Sequence, residues 1–180
     1  EYSAGAWTST GNRPTTGDTS FIEHEVLLNE NRTVEDLVIK NGASFLIDNN
    51  TARTLTINRD LNCAGTFRPV TTENTYGQSA LKTHSLIIKG NLNNTGTFTT
   101  TTDRDGTTTT YKAMRINISL TGTGSTFPGQ GTINLYATLT INKTTGSVTL
   151  DKSITHARFT GTESGDEIDP QITLTSGNLI

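Results

Sequence analysis

One cysteine, Cys63, stands in 180 residues, and that scarcity removes two ways of holding a small fold together. No internal disulfide framework can form, and no cysteine-based zinc site can be built. A single thiol fixes no compartment. Lys and Arg number 14 against 17 Asp and Glu, for a net charge of −3, and the basic residues form no cluster. A nucleic-acid footprint and a polybasic membrane patch are both missing. No apolar run approaches the ~18 residues of a membrane-spanning helix, so no membrane insertion is expected. A signal peptide is also absent, which leads us to expect that Glu1 is a processed or excised start. The three histidines, His24, His84 and His156, have no metal-ligand spacing among them.

Hydrophobic residues make up only 31% of the chain, little for a globule with one central core. A stack of coils tolerates this, because each coil contributes only a thin inward stripe. What the chain has in abundance is Thr (38) and Asn (16). The first suits strands and the second turns, and neither favours helix.

The remaining signal is repetition. Thr54-Leu-Thr-Ile-Asn-Arg-Asp-Leu-Asn-Cys-Ala-Gly-Thr-Phe67 returns as Ser85-Leu-Ile-Ile-Lys-Gly-Asn-Leu-Asn-Asn-Thr-Gly-Thr-Phe98. Leu55, Ile57, Leu61, Gly65 and Phe67 recur 31 residues on as Leu86, Ile88, Leu92, Gly96 and Phe98. A third copy is read 28 residues further, at Ile116, Leu120 and Gly124. An upstream copy is read at Leu37, Ile39 and Phe45, and a downstream one at Leu139, Ile141, Val148 and Leu150. A period of 20–50 residues marks a stacked repeat. The six phenylalanines, Phe21, Phe45, Phe67, Phe98, Phe127 and Phe159, fall about one per coil. Coils lie ~4.8 Å apart, so equivalent rings are expected to form an internal ladder.

These patterns predict an all-β, right-handed parallel β-helix (β-solenoid) of six or seven coils over residues 21–180. Residues 1–20 form an irregular N-terminal cap that lays Trp7 over the first coil; the alternative for Trp7 is a ligand platform. The stretch Ile172-Thr-Leu-Thr-Ser-Gly-Asn-Leu-Ile180 opens a strand without a polar cap. We therefore expect the solenoid to continue beyond Ile180, or a partner to cover that edge. Two excursions, 68–84 and 99–113, follow the Gly-Thr-Phe step, and insertions at one step of successive coils project from one face. The second excursion reads as a hairpin with Asp105-Gly106 at its tip. Tyr76 and Tyr111 sit on these excursions and are the candidate ligand contacts, over faces made by residues 69–84 and 99–113.

Chemistry is harder to find. Asp103 and Asp105 could join an oxygen cage for Ca²⁺, but the twelfth position of an EF-type loop there is Met114. A plain hairpin tip competes with that reading. Asp166, Glu167 and Asp169 form a second weak oxygen cluster, better read as a solvated turn before Pro170. No Gly-x-Ser-x-Gly elbow occurs, and the Asn-Thr-Asp, Asp-Asp and Gly-His-Gly phrases of pectin-type hydrolases are missing. No catalytic residue is assigned, and no cofactor is required. Thr54/Thr56, Thr138/Thr140 and Thr173/Thr175 would suit an outward face that orders water at ice. Ser85/Ile87/Lys89 and Arg115/Asn117/Ser119 interrupt that array.

The opening Gly5-Ala-Trp7, Gly11-Asn-Arg-Pro14 and Gly17-Asp18, followed by Leu-x-Ile, Asn-Gly and Gly-Thr-Phe phrases, resembles secreted β-helix cell-surface proteins of the Bacteroidetes type. Many of these are adhesin-like. A second Trp near Gly11, frequent in that family, is absent, and so is a C-terminal sorting domain. The resemblance implies an extracellular, surface-displayed structural or adhesive segment, flanked by further repeats or domains of the same protein. Surface glycans or neighbouring cells are then its expected partners. A carbohydrate-active enzyme on the same fold is the alternative, and an ice-binding protein a third.

Overall fold

Alternation decides the elements. Along Thr54–Ile57, Thr83–Ile88 and Arg115–Gly122 every second side chain is buried, the period of a strand with one covered face. The computed structural model describes residues 2–3, 6–7, 16–47, 51–69, 83–100, 115–123, 126–127, 131–135, 137–150, 155–156 and 171–179. Among the described residues there is no helix.

An antiparallel pair, β1 (Tyr2–Ser3) and β2 (Ala6–Trp7), comes first. The chain then passes repeatedly through three parallel sheets. In the first pass these receive β3 (Thr19–Ile22), β4 (Glu25–Leu28) and β5 (Arg32–Val34) in turn. The second pass adds β6 (Asp36–Ile39), β7 (Ser44–Ile47) and β8 (Thr54–Ile57). The third adds β9 (Leu61–Cys63), β10 (Thr66–Pro69) and β11 (Thr83–Ile88). The fourth adds β12 (Leu92–Asn94), β13 (Thr97–Thr99) and β14 (Arg115–Gly122). In the fifth come β15 (Thr126–Phe127), β16 (Thr132–Leu135) and the long β17 (Leu139–Leu150), whose far end pairs with β15. Last are β18 (Thr155–His156) and β19 (Ile172–Leu179). Every described pairing after β1–β2 is parallel. Three parallel sheets visited in rotation are consistent with a β-solenoid.

Register fixes the core. Leu55, Leu86, Ile118 and Leu139 lie one above another, as do Ile57, Ile88, Leu120 and Ile141, and none exceeds 3% exposure. In the first sheet Leu37, Leu61 and Leu92 do the same. Each such side chain contributes roughly 1.5–3 kcal/mol on burial.

The same register corrects two repeat alignments. Leu37 stacks on Leu61 and not on Leu55, whose upstream neighbour is Arg32. The reason is a corner at Glu35 inside what reads as one alternating run. Strands of all three sheets carry the same Leu-x-Ile pattern, so sequence alone cannot tell which sheet a copy belongs to. The third copy is displaced by 32 residues, pairing Leu86 with Ile118, and not by 28. Correspondingly Gly131, not Gly124, sits against Gly96.

The aromatic ladder is real but shorter than one ring per coil. Phe45 and Phe67 stack at 5.7 Å between centroids, and Phe67 and Phe98 at 4.7 Å, with rings within 11° and 6° of parallel. Phe98 is followed in register by Ile133. Phe127 lies on β15 opposite Leu150, and Phe21 points outward at 60% exposure with the Lys40 ammonium 5.5 Å from its ring centroid. Phe159 lies outside the described residues.

Two corners are stitched by identity of residue type. Between the third and first sheets, Asp36 Oδ1 accepts from Asp60 N at 3.1 Å and Asp60 Oδ1 accepts from Asn91 N at 2.8 Å. Thr19 Oγ1 donates to Asp36 Oδ2 at 3.2 Å, starting the chain of bonds. These side chains supply acceptors to backbone N–H groups that a corner would otherwise orphan. Between the first and second sheets, Gly65, Gly96 and Gly131 stack so closely that an added Cβ on each would overlap backbone carbonyl oxygen of the preceding coil.

Polar side chains also enter the interior. Lys143 is 2% exposed, and its Nζ donates to Thr121 O at 3.0 Å. Burial pushes the Lys143 ammonium below its ordinary 10.5. The native state then sheds this proton at a pH where the unfolded chain still holds it, so stability rises with pH across that interval. Lys143→Met is expected to stabilise the fold by about 1–3 kcal/mol at neutral pH. That gain should shrink as pH climbs toward 10.5, read from urea melts of both proteins across the range.

Candidate functional site

Three of the longest intervals between described strands join the second sheet to the third. Residues 70–82 separate β10 from β11, residues 100–114 separate β13 from β14, and residues 157–171 separate β18 from β19. The corresponding link between β16 and β17 is only residues 136–138. Excursions from β10 and β13 spring from adjacent coils, since Phe67 and Phe98 are in register. Their roots are thus about one strand spacing, ~4.8 Å, apart.

Thr100 is fully buried, and its carbonyl accepts from Ile116 N at 2.8 Å, so the chain departs and returns within one hydrogen bond. His84, read from sequence as part of an excursion, is instead a fully buried residue of β11 in register with Ile116. Its Nδ1 accepts from Arg53 N at 3.0 Å, which places the ring proton on Nε2. Arg68 and Pro69 likewise belong to β10, and Thr83 to β11. The first interval is accordingly 70–82 rather than 68–84, and the second is 100–114 rather than 99–113. Tyr76, Tyr111, Asp103, Asp105, Asp166, Glu167 and Asp169 lie outside the described residues.

Next to this corner is the outer face of the third sheet. Thr33, Thr56, Ile87, Ser119, Thr140 and Thr173 form one row in strict register, and Thr54, Ser85, Asn117 and Thr138 flank it. The sequence pattern aligns Arg115 with the Thr54 and Ser85 positions. The register puts Asn117 there, because Arg115 pairs with Thr83 one step earlier. Asn117 Oδ1 accepts from Thr138 N at 3.2 Å. Ile87 remains the one apolar member of the central row.

Several described titratable groups serve the scaffold. Asp36 and Asp60 spend oxygens on the corner, and Arg59 Nε lies 3.6 Å from Asp36 Oδ1. Lys40 bonds Glu23 and holds its carboxyl below the usual range, first by that hydrogen bond and then by charge. Burial drives the Cys63 thiol up to about 12, removing the thiolate that nucleophilic chemistry would need at neutral pH. His24 is exposed at the bend between β3 and β4. Among the described residues no three His, Cys, Asp or Glu side chains gather as a metal site, and no helix is long and apolar enough to cross a membrane.

No protein-family description, curated protein or solved structure matches the chain.

Proposed function

We propose that the chain is a non-catalytic, adhesive or structural segment of a secreted cell-surface protein, contacting surface glycans through its side excursions. The observation that carries this reading is that three long intervals of chain each join the second sheet to the third, between strands held in parallel register. A hydrogen-bonded rod supplies reach and stiffness, and loops rooted in it vary without disturbing the core. The coil is right-handed in this reading, since right-twisted strands joined by parallel crossovers favour that hand. Tyr76 and Tyr111 are the contact residues, because aromatic rings present a flat apolar face to a sugar ring at low entropic cost. Further coils or domains of the same protein adjoin the segment.

Binding to an array of surface polysaccharides, with wild type beside the Tyr76→Ala/Tyr111→Ala double variant, tests the proposal. The expected result is glycan retention by the wild type and at least tenfold weaker retention by the variant, with an unchanged far-UV spectrum. Equal retention by both proteins contradicts the assigned contacts. Ca²⁺-dependent depolymerisation that disappears in Asp103→Asn or Asp105→Asn contradicts the non-catalytic reading.

A further inference from the structure

One described side chain at the corner between the second and third sheets can change charge near neutral pH, and the backbone there leans on it. The second coil enters the third sheet at Arg53 and Thr54, and side chains take both of their N–H groups. Thr54 N donates to Asn31 Oδ1 of the coil before at 2.9 Å, and Arg53 N donates to His84 Nδ1 of the coil after at 3.0 Å. The Arg53 carbonyl also accepts from Ser85 N at 2.8 Å, so residues 84 and 85 hold Arg53 by both of its backbone polar groups. Further along the same sheet, Thr138 N donates to Asn117 Oδ1 at 3.2 Å. Three side chains thus do one task. Two are amides that never titrate, and the third is an imidazole.

An imidazole accepts through Nδ1 only while that nitrogen carries no proton. Protonation of His84 would set two N–H donors against each other across 3.0 Å and place a cation at a position with no exposed surface. The charged groups that the described residues bring to this corner oppose it further. They are Arg53 on the preceding coil, Arg68 near the end of β10 on the same coil, and Arg115 beside Ile116 on the next. All three are cations, and no Asp or Glu stands among the described residues of this corner on those coils.

We propose that His84 is an acid-labile latch, neutral in the closed stack, whose protonation frees Arg53 and opens the corner where residues 70–82 rejoin it. The unfolded chain takes up this proton near pH 6.5, the ordinary value for histidine, while the folded chain excludes it. The stability carried by neutral His84 is therefore complete above pH 6.5 and is lost as pH falls below it. The bond that fails lies one residue from Thr83, the first residue of β11, so acid loosens the base of that interval first. This inference goes beyond the glycan reading and does not depend on it.

Urea unfolding of the full chain at pH 7.5 and 5.0, for wild type and His84→Asn, tests the latch. Asn keeps an acceptor for Arg53 N, as Asn31 and Asn117 do for their neighbours, and carries no titrating group. Between the two pH values the wild-type unfolding constant should rise about threefold to thirtyfold more than that of the variant. The upper limit is that of a proton bound only by the unfolded chain, about 1.5 units below its ordinary value. Exchange of the Arg53 amide, corrected for its intrinsic rate, should accelerate over the same interval more than exchange of the amides in β9. A difference under threefold between the two proteins overturns the proposal. Should the variant not fold, imidazole NMR of the wild type decides. A His84 ring that stays neutral, with its proton on Nε2, down to the onset of unfolding supports the latch, and a ring that gains a proton near pH 6.5 in the folded state overturns it.

Discussion

Phe67→Ala is expected to lower stability by about 3–5 kcal/mol, the range for deleting a fully buried aromatic ring. Phe67 has no exposed surface and lies between two parallel rings, Phe45 on one side and Phe98 on the other. Its removal costs the buried area, leaves a ring-sized void and breaks two stacked contacts, each worth about 0.5–1.5 kcal/mol beyond burial. A neighbour from the next coil cannot slide in, because strand spacing holds the coils apart. Phe21→Ala is the control. That ring is 60% exposed, with the Lys40 ammonium over its face, so its loss should stay within about 1 kcal/mol. Urea midpoints for the two variants measure the difference. Equal effects would mean that the ladder contributes nothing special.

Gly96→Ala should be at least as damaging, with a loss of about 3 kcal/mol or more, at the upper end of overpacking effects. Propensity alone argues the other way, because Gly in an ordered segment costs roughly 0.5–1 kcal/mol relative to Ala. Contact decides the sign. A Cβ on Gly96 would land on the Gly65 carbonyl oxygen and 2.7 Å from the Ala64 carbonyl carbon. Both are backbone atoms of the coil beneath, so no rotamer relieves the overlap. The comparison is Gly42→Ala, where nothing lies within 4 Å but φ is +79°. There only the left-handed conformation is penalised, at about 1–2 kcal/mol. A near-neutral Gly96→Ala would show that the corners do not approach as closely as the stack requires.

Much of this arrangement is legible in the sequence. The 31-residue echo of Leu55, Ile57, Leu61, Gly65 and Phe67 corresponds residue for residue to the pairing of β8, β9 and β10 with β11, β12 and β13. Asn41-Gly42 reads as a turn and is one, and Ser44–Ile47 reads as a strand with the same bounds. Sequence pattern and register part where the three sheets share one alphabet. Val34 and Leu37 belong to different sheets, yet their spacing gives no hint of the corner between them. Phe127 looked like a ladder member because it follows a Gly-Ser-Thr phrase, but the pairing partner of Phe98 is the less conspicuous Ile133.

The candidate site was legible only in part. Excursions are visible as lengthened intervals between copies, but their common corner depends on which sheet each flanking strand joins. The row from Thr33 to Thr173 needs all five intervals at once, and those intervals are unequal. The first coil departs from the later ones in a way the sequence also carries. Once Ser20 is aligned with Leu37 and Arg32 with Leu55, two missing leucines in one coil become apparent.

The parallel, in-register stack is what every functional statement above stands on, and pulsed electron spin resonance addresses it directly. One nitroxide is placed at Thr33 and the second at Ser119, Thr140 or Thr173, all on the outer row of the third sheet. Separations should climb in equal steps, near 14, 19 and 24 Å for a strand spacing of ~4.8 Å, before the common offset of the labels. A sequence of distances that does not increase from Ser119 through Thr140 to Thr173 would contradict the stack.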